Sequence, residues 1–201
     1  MHVGILAIQG DVEAHAKALA QLGATTQPVL REKDLAQVDA LVLPGGESTT
    51  IAKGLARLEL YGPLAAFCES GKPILGTCAG AILLARKSDN HPVKTLGLID
   101  LVAHRNAYGT QVDSFAAVAD VAADDGEGAH SGAHSLDGLR CVFIRAPRFS
   151  DLGPEVEVLV RVEGNPVLVR QGNVIACSFH PELGHPQSGV DTRVHQLLDP
   201  A

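Results

Sequence analysis

The chain has 201 residues, enough for one sizeable core, with 46% hydrophobic and 19% charged residues, the balance of an ordinary globular protein. Its formal net charge of −7 argues against a nucleic-acid surface or an anionic membrane as main partner. The longest apolar stretches, such as Ala40 to Leu43 and Val167 to Val169, fall far short of a membrane span, and "MHVGILAIQGD" carries no basic leader before its apolar run, so a cytoplasmic protein is expected.

Val3 to Ile8 predicts a buried first strand that ends at Gln9-Gly10. Asp11 is placed to N-cap a helix through about Leu22, with Gly23 as its stop. Thr25 to Leu30 suggests a second strand, Asp34 to Val38 a polar connection, and Ala40 to Leu43 a third strand ending at Pro44-Gly45-Gly46. Ser48 or Thr49 can cap the helix that follows, to about Leu58. Gly62-Pro63 opens another helix, ending at Gly71. Pro73 to Leu75 reads as a fourth strand and Ala79 to Arg86 as a helix. This alternation predicts a mostly parallel sheet with helices on both faces.

The second half changes rhythm. Leu96 to Ala103, Ser114 to Val121, Arg140 to Arg145, Glu155 to Val162, Pro166 to Arg170 and Asn173 to Phe179 are strand-like, with turns at Glu163-Gly164-Asn165 and Gln171-Gly172-Asn173. They suggest an antiparallel extension on the parallel core. Val190 to Leu198 is a last short helix. The biased segment "DDGEGAHSGAH", Asp124 to His134, reads as a mobile surface loop.

The cysteines are Cys68, Cys78, Cys141 and Cys177, with no C-x-x-C pair among them, which argues against a zinc ribbon or a thioredoxin-type site. In a cytoplasm they should be reduced. Cys68, Cys141 and Cys177 lie within or beside apolar runs and read as small buried hydrophobes.

Cys78 has different neighbours. Gly76-x-Cys78-x-Gly80 has the spacing of a nucleophile elbow with Cys in place of Ser. A nucleophile on a sharp strand-to-helix turn needs a strained backbone, and side chains on its flanks would clash. The sulfur then sits over the positive end of the next helix, which favours thiolate. The Ala79 N–H would point where an oxyanion forms. So short a pattern also fits a buried structural cysteine.

A nucleophilic cysteine needs a base and a group to orient it. "SFHPEL", Ser178 to Leu183, places His180 after an apolar strand and Glu182 two residues on. In an extended chain i and i+2 point the same way, so Glu182 can reach the His180 ring. The other histidines fit less well. His2, His15, His91 and His195 sit in polar or terminal contexts, and His104 abuts Arg105. His130 and His134 have i,i+4 spacing but no helix to present it, so no metal site is expected. "LVLPGGESTT", Leu41 to Thr50, puts Gly45-Gly46 at a strand end before a capped helix. Such a loop of exposed N–H groups can hold a carboxylate or donate to an oxyanion. It lacks the phosphate-loop pattern, and a plain helix N-terminus with a solvated Glu47 is the competing reading.

In order, "LPGGES", "GTCAG" and "FHPE" resemble a class I (triad) glutamine amidotransferase, over nearly the whole chain. More narrowly, "LAIQGD", "LPGGESTT", "GTCAGAILLA", "RNAYGTQVDSF" and "FIRAP" resemble the glutaminase subunits of pyridoxal 5′-phosphate synthase. "RNAYG-QVDSF" and "IRAP" set it apart from glutaminases serving histidine or purine synthesis. The resemblance implies a three-layer, flavodoxin-like α/β fold over residues 1–201 as one domain. It implies Cys78 as nucleophile on the glutamine amide, His180 as base and then acid, and Glu182 as its orienting group. The N–H groups of Gly46 and Ala79 would form the oxyanion hole, and Gly46, Glu47, Ser48, Arg105, Ile144 and Arg145 would contact L-glutamine. An α-carboxylate and an α-amino group are suited to Arg and Glu partners; ion pairs elsewhere are the competing reading for Arg105 and Arg145. Neither cofactor nor metal is implied, and neither nucleic acid nor membrane is expected as a partner.

The implied partner is a synthase subunit that receives ammonia and makes pyridoxal 5′-phosphate from a pentose phosphate and a triose phosphate. Such glutaminases are usually poorly active until that subunit docks. A Pro44–Ser48 loop held in a non-productive backbone state would account for that, and Gln9-Gly10-Asp11 offers a docking edge. Two departures from the family pattern stand out: a longer Asp124 to His134 loop and a C-terminal helix cut short at Leu198-Asp199-Pro200-Ala201. Either would alter docking or oligomer contacts. The alternatives are a cysteine hydrolase of the related peptidase/chaperone type, whose members usually carry His directly after the Cys where Ala79 stands here, and a non-catalytic binding subunit, which would show a broken triad.

Overall fold

In the computed structural model, which describes residues 1–90, 92–105, 115–118, 120–121, 136, 138–183 and 191–199, the first half of the chain alternates strand and helix. The elements are β1 (His2–Leu6), α1 (Val12–Gln21), β2 (Thr25–Val29), α2 (Glu32–Leu35), β3 (Ala40–Leu43), α3 (Ser48–Arg57), α4 (Tyr61–Glu69), β4 (Ile74–Thr77) and α5 (Ala79–Leu84). The second half supplies β5 (Ala85–Asp89), β6 (Ile99–His104), β7 (Phe115–Val118), β8 (Asp120–Val121), β9 (Arg140–Phe143), β10 (Arg148–Ser150), β11 (Glu157–Val162), β12 (Asn165–Gln171) and β13 (Val174–Cys177). A 3-10 turn at Pro181–Leu183 and α6 (Arg193–Gln196) follow.

The central sheet runs β2-β1-β3-β4-β13-β12-β11-β8. Its strands from β2 to β13 are parallel; β12, β11 and β8 add the expected antiparallel extension. β10-β6-β5 form a second sheet and β7-β9 a ribbon. Strand β3 shows why the parallel part reads as a continuous apolar run. Leu41 and Leu43 face a core built with α3, α4 and α5, while Ala40 and Val42 face the core that holds Leu19 of α1 and Val194 of α6. All four are buried because both faces of the sheet are covered.

Several local expectations are corrected. The expected Asp34 to Val38 connection is entered by a helical turn, α2 (Glu32–Leu35), at whose start the Asp34 carboxylate accepts hydrogen bonds from the Leu30 and Arg31 amides, at 3.0 and 2.9 Å; residues 36–38 remain a connection. Helix α5 stops at Leu84, since Ala85 turns extended (φ −56°, ψ 152°) and begins β5, paired with β6. The strand β10 was not legible; it pairs antiparallel with β6. The last helix is only Arg193–Gln196. The segment 124–134, with His130 and His134, His91 and residues 106–114 lie outside the described residues.

Candidate active site

Strands β4 and β13 lie side by side with Thr77 opposite Cys177, and this register brings the two chemistry-bearing segments to one sheet edge. The Cys78 N–H donates to the Cys177 carbonyl at 2.8 Å, the last rung before the chain turns. Cys78 has φ 48° and ψ −104° and is 6% exposed, and α5 starts at the next residue. A left-handed φ on a side chain larger than glycine is a strained state held by its surroundings. Both flanking glycines are needed for space. A Cβ on Gly80 would stand 1.9 Å from the Leu43 carbonyl oxygen, and one on Gly76 would stand 2.8 Å from the Gly80 carbonyl carbon and oxygen. The Cys78 Sγ lies 3.8 Å from the Ile144 carbonyl oxygen.

His180 follows β13 by three residues and is anchored by its N–H on the Val142 carbonyl, at 2.8 Å. Its Nδ1 lies 2.7 Å from Glu182 Oε1, and Glu182 is 1% exposed. The pair forms as its spacing predicts but by a different route. Pro181–Leu183 is a 3-10 turn and not an extended chain; the turn folds Glu182 back under the ring. Burial alone would lower the His180 pKa, but hydrogen bonds and charge from Cys78 and Glu182 overcome it and raise the pKa to about 10. Burial pushes the Glu182 carboxyl up, yet His15 and the His180 hydrogen bond hold it net below its ordinary value. The resting ring therefore carries the proton, with sulfur on one side and a carboxylate on the other.

The Gly45–Glu47 loop closes the third side. The Gly45 N–H donates to Thr77 Oγ1 at 3.0 Å, and the Glu47 N–H donates to Gln9 Oε1 at 2.7 Å. Gly46 has φ 156°, and a Cβ on it would stand 2.6 Å from Gln9 Oε1. Helix α3 is capped by Glu47 and not by Ser48 or Thr49. Its carboxylate accepts from the Thr49 and Thr50 amides at 3.0 and 2.7 Å and from Thr50 Oγ1 at 2.8 Å. Slight burial raises the Glu47 pKa, but these hydrogen bonds bring it down to about 2. Glu47 is thus no free solvated charge, and Arg105 Nη2 lies 3.3 Å from its Oε1.

Cys78, Ala79, Gly46, Glu47, Ser48, Arg105, Ile144, Arg145 and His180 all line one cavity of about 300 Å³, joined by Gln9, Asp11 and Ile82. Glu182 stands behind His180, outside the lining. The structure thus brings together every site residue expected from the sequence. Arg145 enters with φ 45° just after β9.

Some contributors were not foreseen. Asp11 makes no side-chain cap to α1; its Oδ2 instead lies 3.7 Å from His180 Nδ1. Asp11, His180 and Glu182 offer three donor atoms within 4.8 Å of one another, but Nδ1 already donates to Glu182, and a metal ion there would displace that bond. Histidines 15 and 195, set aside as residues in polar or terminal contexts, are wholly buried behind Glu182. The signal that places His15 is its position on the sheet-facing side of α1, beside buried Ala18 and Leu19.

The SNO glutamine amidotransferase family matches residues 5–198. The chain is 49% identical over 198 residues to the pyridoxal 5′-phosphate synthase subunit PdxT of Frankia alni, covering 98% of this chain and 92% of that one. It is 44% identical to the PdxT of Shouchella clausii, covering 98% and 93%. A crystal structure of a glutamine amidotransferase superposes with TM-score 0.84 at 41% identity, covering 98% of this chain and 96% of that one. The PurLQS structure from Thermotoga maritima shares the fold alone, with TM-score 0.70 at 18% identity. A family match over almost the whole length, relatives near half identity and a cysteine elbow facing a histidine–glutamate pair converge: the chain belongs to the SNO glutamine amidotransferase family.

Proposed function

We propose that this chain, as one domain over residues 1–201, hydrolyses L-glutamine to L-glutamate and ammonia and delivers the ammonia to the synthase subunit of pyridoxal 5′-phosphate synthase. The observation that carries the reading is the Cys78–His180–Glu182 arrangement at the wall of the 300 Å³ cavity, in a chain with PdxT relatives over full length. Cys78 sulfur attacks the side-chain carbonyl carbon of glutamine, and the carbonyl π pair moves onto oxygen. The N–H groups of Gly46 and Ala79 are assigned to that oxyanion. The intermediate collapses as His180 gives its proton to the departing nitrogen, leaving a thioester and ammonia. Water then attacks the thioester, His180 takes the proton of that water, and glutamate leaves as sulfur is released. Glu182 holds the ring tautomer throughout. Arg105, Arg145, Glu47, Ser48 and Ile144 are assigned to glutamine, the cations suiting its α-carboxylate.

The Gln9–Asp11 segment is the assigned docking edge. It touches both halves of the machinery: Gln9 holds the Glu47 amide and Asp11 faces His180. A partner pressing there reaches the loop and the base together. The peptidase/chaperone-type alternative is not favoured, since Ala79 follows Cys78 and the full-length relatives are synthase subunits. The four cysteines are free thiols, the state expected in the proposed cytoplasmic setting.

Cys78→Ala tests the assignment. Glutamine hydrolysis and glutamine-fed pyridoxal 5′-phosphate synthesis should fall at least about a thousand-fold, while synthesis fed with ammonium salt continues. Intact glutamine-driven synthesis by this variant would sink the proposal. Low basal glutaminase activity that rises on adding the synthase supports the docking role; full activity alone would remove it.

A further inference from the structure

The chemistry above leaves a set of buried polar side chains behind Glu182 without a task. His15 on α1 and His195 on α6 are both 0% exposed, and His15 Nδ1 lies 2.8 Å from His195 Nε2. The other ring nitrogen of His15 faces two oxygens, Thr77 Oγ1 at 3.1 Å and Glu182 Oε2 at 3.6 Å. Glu182 Oε2 meets no hydrogen-bond partner among the described residues. A buried carboxylate oxygen needs a donor near it, and His15 Nε2 faces it at 3.6 Å.

Burial is the main influence on both rings and keeps them neutral, against the opposing pull of Glu182. Each ring then has one N–H to place. With the proton on Nδ1, His15 would aim the Nε2 lone pair at a carboxylate. With the proton on Nε2, it donates toward Thr77 and Glu182, and its Nδ1 accepts from His195 Nε2–H. We take the second tautomer because it gives Glu182 Oε2 a facing donor; it leaves His195 Nδ1, which meets no hydrogen-bond partner among the described residues, as an acceptor. Thr77 Oγ1 also accepts the Gly45 N–H, at 3.0 Å. One ring therefore touches both the carboxylate that orients the base and the hydroxyl that holds the Pro44–Ser48 loop.

We propose that His15 is a positioning residue of the glutaminase site: a neutral Nε2–H ring that steadies the second oxygen of Glu182 and the Thr77 hydroxyl, with His195 setting its tautomer. The proposal rests on the assignment of Cys78, His180 and Glu182 as the triad. His15 does not line the cavity, so it acts on turnover and not on glutamine affinity.

The test uses the full chain with its synthase subunit and compares His15→Met, His15→Gln, His15→Asn and Glu182→Gln. The readouts are kcat and KM for glutamine, the pH profile of Cys78 alkylation by iodoacetamide, and thermal unfolding. His15→Met should lower kcat about 10- to 100-fold with KM within about two-fold, the range for removing a residue that orients a ligating or catalytic group. The alkaline limb of the alkylation profile should move to lower pH. Gln places an amide N–H where Nε2 stood, whereas Asn reaches only the Nδ1 position, so Gln should recover most of kcat and Asn should not. Equal activity of the Gln and Asn variants overturns the proposal, and decides the matter even if His15→Met fails to fold. Parental kcat and pH profile in His15→Met overturns it too. A damaged Glu182→Gln beside a parental His15→Met removes the positioning role alone; a parental Glu182→Gln removes the triad assignment and the proposal with it.

Discussion

At one wall of the cavity Cys78 stands between the end of β4 and the start of α5, with the Gly80 backbone pressed on the Leu43 carbonyl and the Cys78 N–H bonded to Cys177. At the facing wall, Gly45 to Glu47 hang between β3 and α3 from two side chains, Thr77 and Gln9. The first corner is defined by backbone packed on backbone within the core. The second is defined by polar contacts that a rotamer change can release. One backbone approach does exist there, Gly10 under the Gly45 carbonyl, but it joins two loops and no regular element. The proposed nucleophile is thus preorganised by the fold, while the loop assigned to the oxyanion is held by exchangeable bonds, which suits the proposed movable element. The proposed docking role of the Gln9–Asp11 segment needs this division.

Gly80→Ala attacks the rigid corner and carries the largest expected effect. The added Cβ would overlap the Leu43 carbonyl oxygen, so β3 and α5 must part. The cost should be about 3 kcal/mol, or roughly 6–12 °C in Tm for a chain of this size. Displacing Cys78 should lower glutaminase activity more than about a hundred-fold. Gly46→Ala is the matched variant on the other wall, where the nearest obstacle is the far end of the Gln9 side chain, followed by the Gly10 Cα at 3.2 Å, and where φ 156° adds some backbone strain. Its Tm should move less than that of Gly80→Ala. Equal losses of Tm would erase the contrast between the corners.

The same contrast explains what was legible in the sequence. The parallel half was readable because strands covered on both faces are continuous apolar runs; β3 came out residue for residue. The elbow and the His180–Glu182 pair are local patterns, five and three residues wide, and the structure puts the first at a strand-to-helix turn and the second in hydrogen-bond contact. What escaped depends on packing between distant segments. Gln9 and Asp11 reach Glu47 and His180 across 38 and 169 positions of sequence, and His15 meets His195 across 180. A polar side chain at a helix start reads locally as a cap, and only the tertiary fold shows that Asp11 faces the base instead. Glu47 escaped for the opposite reason: its cap is local, but Ser48 and Thr49 look like better caps in sequence.

Glu182→Gln acts between the corners, on the base. Gln keeps the shape but loses the charge that helps to hold the His180 pKa at about 10. By analogy with removal of the carboxylate in other triads, kcat should fall about 10²- to 10⁴-fold. The alkaline limb of Cys78 alkylation should move down in pH, because the imidazolium loses part of its stabilisation. An unchanged limb would mean that Glu182 does not govern the proton on His180.

The buried ring behind the base predicts an acid limit to stability. His195 has its pKa lowered from 6.5 to about 3, chiefly by burial, and His15 is lowered for the same first reason. Both are neutral when folded, so below pH 6.5 the unfolded chain binds more protons and stability falls as pH falls. For His195 the loss should grow to about 2 kcal/mol by pH 5 and be complete only below about 3. His180 works in the other direction: its folded pKa is raised, so its contribution is fully present below 6.5 and is lost as pH rises through about 10. Unfolding in urea at pH 7 and pH 5 measures the acid slope. His195→Met should flatten it; a slope that survives that change belongs to other groups.

Gln9→Met carries the smallest effect and bears most directly on the division between the corners. It removes the acceptor for the Glu47 N–H at an exposed site. Water can replace the lost acceptor there, so the folding cost should be only about 0.5 kcal/mol, equivalent to roughly 1–2 °C in Tm. Cys78 alkylation in the isolated protein should stay within about two-fold, because among the described residues Gln9 is hydrogen-bonded to the Glu47 amide and to no residue of the Gly76–Gly80 turn. The KM for glutamine in the complex should rise about 3- to 10-fold, the worth of one hydrogen bond, and the stimulation by the synthase should shrink as the loop loses one of the side chains that hold its backbone. If alkylation slows in step with glutaminase activity, the loop and the nucleophile move as one unit, and the partner would then act on the whole site and not on its movable wall.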